Sequence, residues 1–416
     1  MFVTALLCWP SFAAQLKSIT LPIAGTNIQP AAISADGNYL VGRFKDSGNR
    51  WKGFRMKVNA TTADVIAPAS GYDESGATDV SQDGSVVVGY SQNFANESIS
   101  QGLVWTSSGG TSSLPAPPSG YNSTQPYGVS LDGTLMAIGH TFNSSKAAVA
   151  SYPGPGNAYR ALLSTDGSSS FSRANGIISD GSVVFGDKLD STNVTRPCYW
   201  NSSSGTSFQY VDTLEGDVHD MSDTGVIVGN IGGWVSSSRP CYWTVVNTVL
   251  TRTNLPALNG VSTGTAMKVT KNGVTIFGQI NGTCFQWTQG NGTVSLLSVA
   301  TSAGINTTGW FLSAITDITP DGSRIIGSGS LSGTYPPFLL DLRSATVVPS
   351  AQIQPGVNVT ILGVIGKTYQ LQGSTDLDST NWTNLGAPVT GTGVTIQSFQ
   401  PNTSLYPFFR YLITTP

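Results

Sequence analysis

The sequence predicts an all-β protein, a seven-bladed β-propeller followed by a small C-terminal β-sandwich, and three observations carry that expectation. One phrase of about ten residues recurs seven times, an aromatic residue follows each copy, and the composition suits strands and turns better than helices. Only 10% of the 416 residues are charged, whereas Gly alone accounts for 48, and no long amphipathic helical period is present. Such a length calls for two domains or one large repeat array.

The repeated phrase is an apolar residue, usually Ser or Thr, then Asp-Gly or a relative, and a β-branched run ending in Gly. Its copies are ISADGNYLVG from Ile33, VSQDGSVVVG from Val80, VSLDGTLMAIG from Val129, IISDGSVVFG from Ile177, MSDTGVIVG from Met221, VTKNGVTIFG from Val269 and ITPDGSRIIG from Ile318, at intervals of about 43 to 49 residues. The aromatic marks are Phe54, Trp105, Tyr152, Trp200, Trp243, Trp287 and Phe338. Each unit therefore reads as strand, tight turn, strand, variable loop, aromatic strand, polar turn and a fourth strand. The fourth strand often ends in Leu-Pro, as at Leu114-Pro115 and Leu255-Pro256. Four strands make a blade, and seven such units close into a propeller more readily than they stack as a solenoid.

The pairs Asp36-Gly37, Asp83-Gly84, Asp132-Gly133, Asp180-Gly181 and Asp321-Gly322 have a structural reading. Asp accepts backbone hydrogen bonds within the turn and Gly supplies the positive φ. Catalytic acids repeated at equivalent places in so many blades would serve no reaction. Trp105, Trp200, Trp243 and Trp287 are expected to be core residues between blades, each contributing about 1.5 to 3 kcal/mol by burial. Two segments compete to supply the strand that closes the last blade, Leu16–Pro22 and Arg343–Pro349.

This pattern resembles the HAF-repeat family of extracellular bacterial proteins over roughly residues 26 to 345. The resemblance rests on VSADGSVVVG-like phrases in phase with GFRM at Gly53, GLVW at Gly102, PCYW at Pro197 and Pro240, and TCFQW at Thr283. It implies export and a propeller-like repeat domain, and it carries no activity or catalytic residue with it. Cys198, Cys241 and Cys284 stand where that family more often has Ala. Equivalent positions in neighbouring blades lie too far apart for a disulfide, and no paired Cys or His spacing suggests zinc, so three reduced, buried thiols are expected and no metal site.

Residues 1–14, MFVTALLCWPSFAA, read as the later part of a truncated secretory signal peptide, which places the mature protein outside the cell or at its surface. The propeller then spans 15–348. Residues 349–416 break the repeat and read as the β-sandwich module, similar to small C-terminal modules of secreted bacterial proteins, with candidate strands at Val357–Leu362, Thr368–Gly373, Asn381–Leu385, Val394–Phe399 and Phe408–Thr414. Trp382 is expected to anchor its core. No later apolar run is long enough to cross a bilayer as a helix.

Chemistry is sparse. A formal charge of −3 gives no electrostatic attraction for nucleic acid. No nucleophile elbow, phosphate loop or dinucleotide fingerprint occurs in a credible setting, and no cofactor is expected. The two histidines are His140 and His219. Inner strands approach the funnel of a propeller, so Glu74, Glu215, Asp217 and His219 are the candidates for a catalytic site there, with an ordinary surface histidine as the bland reading of His219. Glu97 is a further rare glutamate. The first functional expectation is a non-enzymatic, exported binding or structural protein whose propeller displays loops to an extracellular glycan or protein. The alternative is a polysaccharide hydrolase or lyase acting in the funnel.

Overall fold

The computed structural model describes residues 14–116, 119, 121–142, 144–151, 160–162, 171–203, 208–232, 238–246, 249–343, 358–364, 366–377, 381–391, 395–399, 406 and 408–414. Contacts set Ala14–Arg343 apart as one compact unit, and the described residues after 343 belong to a second. The segment 1–14 that reads as a signal peptide falls outside the described residues except for Ala14, and so does the expected boundary at 348/349.

Among the described residues, Ala14–Arg343 form seven four-stranded antiparallel sheets. Six are meanders whose strands follow chain order. The seventh takes three strands from the end of this unit and its fourth from the beginning, with Gln15–Ser18 paired to Pro337–Asp341 in the register Gln15↔Asp341 to Ser18↔Phe338. The N-terminal segment therefore supplies the closing strand. Residues 344–349 of its competitor lie outside the described residues.

The first strand of each sheet is the innermost: Thr26–Ile33, Glu74–Val80, Ser123–Val129, Ser172–Ile177, Gly216–Met221, Gly264–Val269 and Trp310–Ile318. Residues of all seven line a single cavity, so the sheets stand in a closed ring about one axis. Every inner strand also carries a β-bulge at the corresponding place, as between Ala77 and Asp79, Val218 and Asp220, and Ile315 and Asp317. The extra residue twists the strand and re-aims the side chain that follows it toward the axis.

The Asp-Gly turns behave as their chemistry requires. Asp83 Oδ1 accepts from the Ser85 N–H at 2.9 Å, and the Ser81 hydroxyl accepts from the Val86 N–H at 3.0 Å. Gly84 has φ +74°, and a Cβ there would lie 2.3 Å from the Tyr39 ring of the preceding sheet, so both conformation and space demand glycine. In the fifth sheet, which lacks the aligned Asp, Ser222 keeps the same bond to the Val226 N–H at 2.9 Å and pairs with Thr224 instead. The turns are also stitched to one another. Gln82 N–H donates to Leu131 O at 2.8 Å, Leu131 N–H to Ser179 O at 2.9 Å, Asp223 N–H to Lys271 O at 3.1 Å and Lys271 N–H to Pro320 O at 2.8 Å.

Pro320 has no N–H to continue this belt from the seventh sheet to the first. The seam is held by side chains instead. Arg324, buried in the seventh sheet, donates through Nη1 to Gly37 O of the first and pairs through Nε with Asp341 Oδ2 at 2.9 Å.

The aromatic marks occupy two positions rather than one. Phe54 and Phe338 sit opposite Gly42 and Gly327, whereas Trp105, Trp200, Trp243 and Trp287 sit two residues further along, opposite Val87, Val184, Ile227 and Ile276. Trp105, Trp200 and Trp243 are buried as expected. Trp287 is a correction: it is only partly buried, its ring centroid 5.1 Å from that of Tyr242, and Phe285 stands opposite Gly278. Tyr152 lies outside the described residues.

Cys198, Cys241 and Cys284 are buried thiols with no disulfide, but they do not share one position. Cys198 and Cys241 face Gly186 and Gly229, while Cys284 faces Gln279, one residue out of step. A shift of one residue reverses the face of a strand. Cys284 consequently packs with Trp310 and Phe338 of the following sheet, whereas Cys241 packs with Phe185 and Val218 on the other side of its own. A short helix, Leu296–Ser302, capped by the Ser295 hydroxyl, leads into the last inner strand.

The C-terminal unit has a pair of strands, Asn358–Leu362 with Thr395–Phe399, and a second sheet centred on Thr368–Ser374, flanked by Phe408–Thr414 on one edge and by Thr383–Asn384 and Val389–Thr390 on the other. Val359 of the first packs with Leu371 and Phe409 of the second, and Ile361 and Ile396 with Tyr369. Trp382 is outside both clusters. It is half-buried with the Arg410 guanidinium 4.2 Å over its ring, which corrects its expected place in the core.

Candidate functional site: the axial cavity

The residues directly after the seven bulges form a ring about the axis: Ala32, Asp79, Gly128, Gly176, Asp220, Lys268 and Asp317. Its three carboxylates do the same thing. Each accepts an N–H from the next inner strand around the ring: Asp79 Oδ2 from Val129 at 2.8 Å, Asp220 Oδ2 from Val269 at 3.0 Å and Asp317 Oδ2 from Ile33 at 2.9 Å. The second oxygens of Asp79 and Asp220 cap the N–H of Val80 and Met221, while Asp317 Oδ1 meets Lys268 Nζ at 2.9 Å. The last of the three clasps joins the seventh sheet to the first, a further stitch across the seam.

The electrostatics follow from crowding. Burial raises the Asp79 pKa to about 7, helped by the charge of Asp317 and opposed by its two backbone bonds and by Lys268. Burial alone would lower Lys268, but Asp317, Asp220 and Asp79 outweigh it and hold its ammonium well above the ordinary value. The cavity itself is about 130 Å³, the share of roughly four waters at ~30 Å³ each. Small-molecule sites occupy about 300 to 1,000 Å³.

The four candidates named from sequence are not brought together. Glu74 is fully buried between the first and second sheets, accepting from the Trp51 N–H and Gln92 Nε2, both at 3.1 Å, and does not line the cavity. Glu215 is exposed at the approach to the fifth inner strand and is also outside the cavity lining. Asp217 and His219 do share a neighbourhood. Asp217 Oδ1 lies 3.7 Å from Arg173 Nη2, and Arg173 also meets Asp187 Oδ1 at 3.1 Å. His219 lines the cavity and its Nε2 is 2.9 Å from Asn230 Oδ1, which corrects the reading of an ordinary surface histidine. Burial lowers its pKa against the upward pull of Asn230 and Asp217, so the ring is neutral at pH 7. Asp187, a buried carboxyl not singled out from sequence, is raised to about 6 by burial despite Arg173, with Asp217 adding to the shift. The side chains of His140 and Glu97 are not described.

Among the described residues no group of three or more His, Cys, Asp or Glu is gathered to hold a metal ion, and no helix is long and apolar enough to cross a membrane. What the sequence reading missed is the carboxylate ring, although it was visible: Asp79, Asp220 and Asp317 each stand two residues before the Ser or Thr of the repeated phrase.

No protein-family model matches the chain, and no curated protein matches it. Solved structures do. A structure from an analysis of two prolyl endopeptidases is 10% identical, with 88% of this chain and 54% of that one covered and a TM-score of 0.52. TolB from Acinetobacter baumannii is 13% identical over 55% of this chain and 54% of its own, at a TM-score of 0.39. The β-propeller domain of the trilobed protease from Pyrococcus furiosus is 9% identical over 78% of this chain and 99% of its own, at 0.48. This chain spans about half the length of the TolB and endopeptidase chains. At such identities the likeness speaks to fold alone, and with the ring of four-stranded sheets it defines an all-β protein of the β-propeller class.

Proposed function

We propose that this chain is an exported, non-enzymatic binding or structural protein of HAF-repeat type: a seven-bladed propeller that displays surface loops to an extracellular glycan or protein, with the C-terminal unit as a small β-sandwich accessory module. The observation that carries this reading is the use of the axial carboxylates. Asp79, Asp220 and Asp317 are each committed to the backbone of a neighbouring inner strand, so the part of a propeller where a funnel enzyme would keep its acids is instead a set of clasps. A cavity of about 130 Å³ leaves no room there for a polymer. The repetition supports the same reading, since the framework residues recur from sheet to sheet and the connecting loops differ, the arrangement of a rigid scaffold with a variable surface.

The alternative, a polysaccharide hydrolase or lyase, would have to use Asp187, Asp217 and His219 beside Arg173. Asp187 has no exposed side-chain surface, which weighs against contact with substrate. A glycan array and a hydrolysis screen on the same purified protein separate the two. Retention without cleavage is expected. Cleavage of any polymer that is abolished by Asp217→Asn would overturn the proposal.

A further inference from the structure

The seam between the first and seventh sheets has a second feature besides its stitches, a groove of about 410 Å³. On one side lie Asn27, Ile28, Gln29 and Pro30 of the first inner strand, and on the other Thr316, Ser328, Tyr335 and Pro337 of the seventh sheet. Its volume falls in the ordinary range for ligand sites, unlike that of the axial cavity.

Three properties of this groove define what it would take. No charged side chain lines it. Tyr335, carried on the hairpin between the second and third strands of the seventh sheet, is 86% exposed, the most exposed of the large hydrophobic side chains described. Among the described residues, no hydrogen bond engages the Tyr335 hydroxyl, the Thr316 hydroxyl or the Asn27 amide. Gln29 uses only its Oε1, which accepts from Arg43 Nε at 2.9 Å. That bond fixes the amide plane, because Arg43 is itself held by the Tyr90 hydroxyl at 2.7 Å and lies 4.2 Å over the Trp51 ring. Apolar surface from Ile28, Pro30, Pro337 and the phenol ring thus alternates with neutral donors and acceptors.

We infer that this groove binds a neutral glycan, with one sugar ring stacked on Tyr335 and its hydroxyls met by Gln29, Asn27 and Thr316. This rests on the proposed binding role and gives it a place and a ligand class. A sugar ring has one apolar face and an equatorial rim of hydroxyls, and a phenol ring flanked by uncharged amides and hydroxyls matches both. An anionic polymer would find no cation in the lining, and Arg43, which holds Gln29, is itself committed to Tyr90 and Trp51. A protein partner would need about 800 Å² of buried surface on each side, more than one groove residue on a hairpin tip supplies.

The test uses the full chain on an array of neutral hexasaccharides built from glucose, mannose or xylose, with hits measured by titration calorimetry. Tyr335→Ala and Thr316→Val should each weaken binding, the former about tenfold or more, while Phe94→Ala, which removes another exposed aromatic on a hairpin of the second sheet, should leave it unchanged. Thermal melts of the variants matching the parent separate loss of contact from loss of fold. Binding that survives Tyr335→Ala would overturn this inference and leave the broader binding role standing. No binding to any neutral hexasaccharide, or binding only to charged glycans or to a protein, would likewise overturn it, and cleavage of a hexasaccharide would overturn the broader role.

Discussion

Replacing Asp79 with Asn should flatten part of the dependence of stability on pH. Burial, helped by the charge of Asp317, holds the Asp79 carboxyl at about 7 against an ordinary 3.8, in spite of the opposing pull of its two backbone bonds and of Lys268. The folded state therefore keeps a proton that the unfolded chain gives up, so this residue's contribution is fully present below pH 4 and is lost as pH rises toward 7. The full shift corresponds to a ceiling of about 4 kcal/mol, and because Asp79 is only partly shielded from solvent the expected contribution is ~1 to 3 kcal/mol. Asn retains one acceptor of the two that serve Val80 and Val129, so at pH 5 the variant should be less stable than the parent by about 1 to 3 kcal/mol. At pH 8 the parent has a buried charge and the variant does not, so the gap should close or reverse. Urea denaturation of both proteins at the two pH values measures this directly, and titrations common to both, Asp187 among them, cancel in the comparison. The same gap at pH 5 and pH 8 would refute the assigned crowding.

Two further outcomes are expected. Arg324→Met removes the buried partner of Asp341 and the bond to Gly37 O across the seam. A buried pair that loses one member typically costs about 3 to 5 kcal/mol; Arg343 still lies 2.8 Å from the same carboxylate, which lowers the expected loss to ~2 to 3 kcal/mol. A change below about 1 kcal/mol in denaturant titration would argue against that role. In a Cys8→Ser background the thiols of Cys198, Cys241 and Cys284 should stay unreactive toward a thiol reagent in the native state and react on unfolding. Burial pushes Cys241 and Cys284 well above the ordinary thiol value, so little thiolate exists at neutral pH. Stoichiometric native labelling within minutes would contradict this.

The framework was legible because its signals are local. A Ser or Thr, an Asp and a Gly within four residues dictate a turn whatever surrounds them, and the β-branched runs dictate strands, so the boundaries of most inner and second strands follow from the phrase itself. Register was less accessible. TCFQW looks like a copy of PCYW, yet one extra residue turns Cys284 to the opposite face and moves Phe285 into the position held by Cys241. Only pairing with Gly278 reveals it. The candidate site was hardest to read, because rarity drew attention to Glu74 and Glu215, whereas axial placement depends on the bulge that re-aims Asp79, Asp220 and Asp317. Nothing in the identity of a glutamate reports which strand end it occupies. The closing strand was ambiguous for the same reason: LKSITLP and a stretch after Arg343 have similar patterning, and the choice belongs to pairing over more than three hundred residues of separation.

That pairing has a consequence for how the molecule comes into being. Gln15–Ser18 are synthesised before the strands of the first six sheets, and their partner Pro337–Asp341 is made after those sheets are complete. Until then the growing chain presents two open lateral faces, one on the first sheet and one on the latest, and the entropy of joining such distant segments must be met in a single late event. Circular permutants that move the chain ends into an exposed hairpin elsewhere would shorten that wait, and refolding rates would report how much of the time to maturity is spent bringing the two ends together.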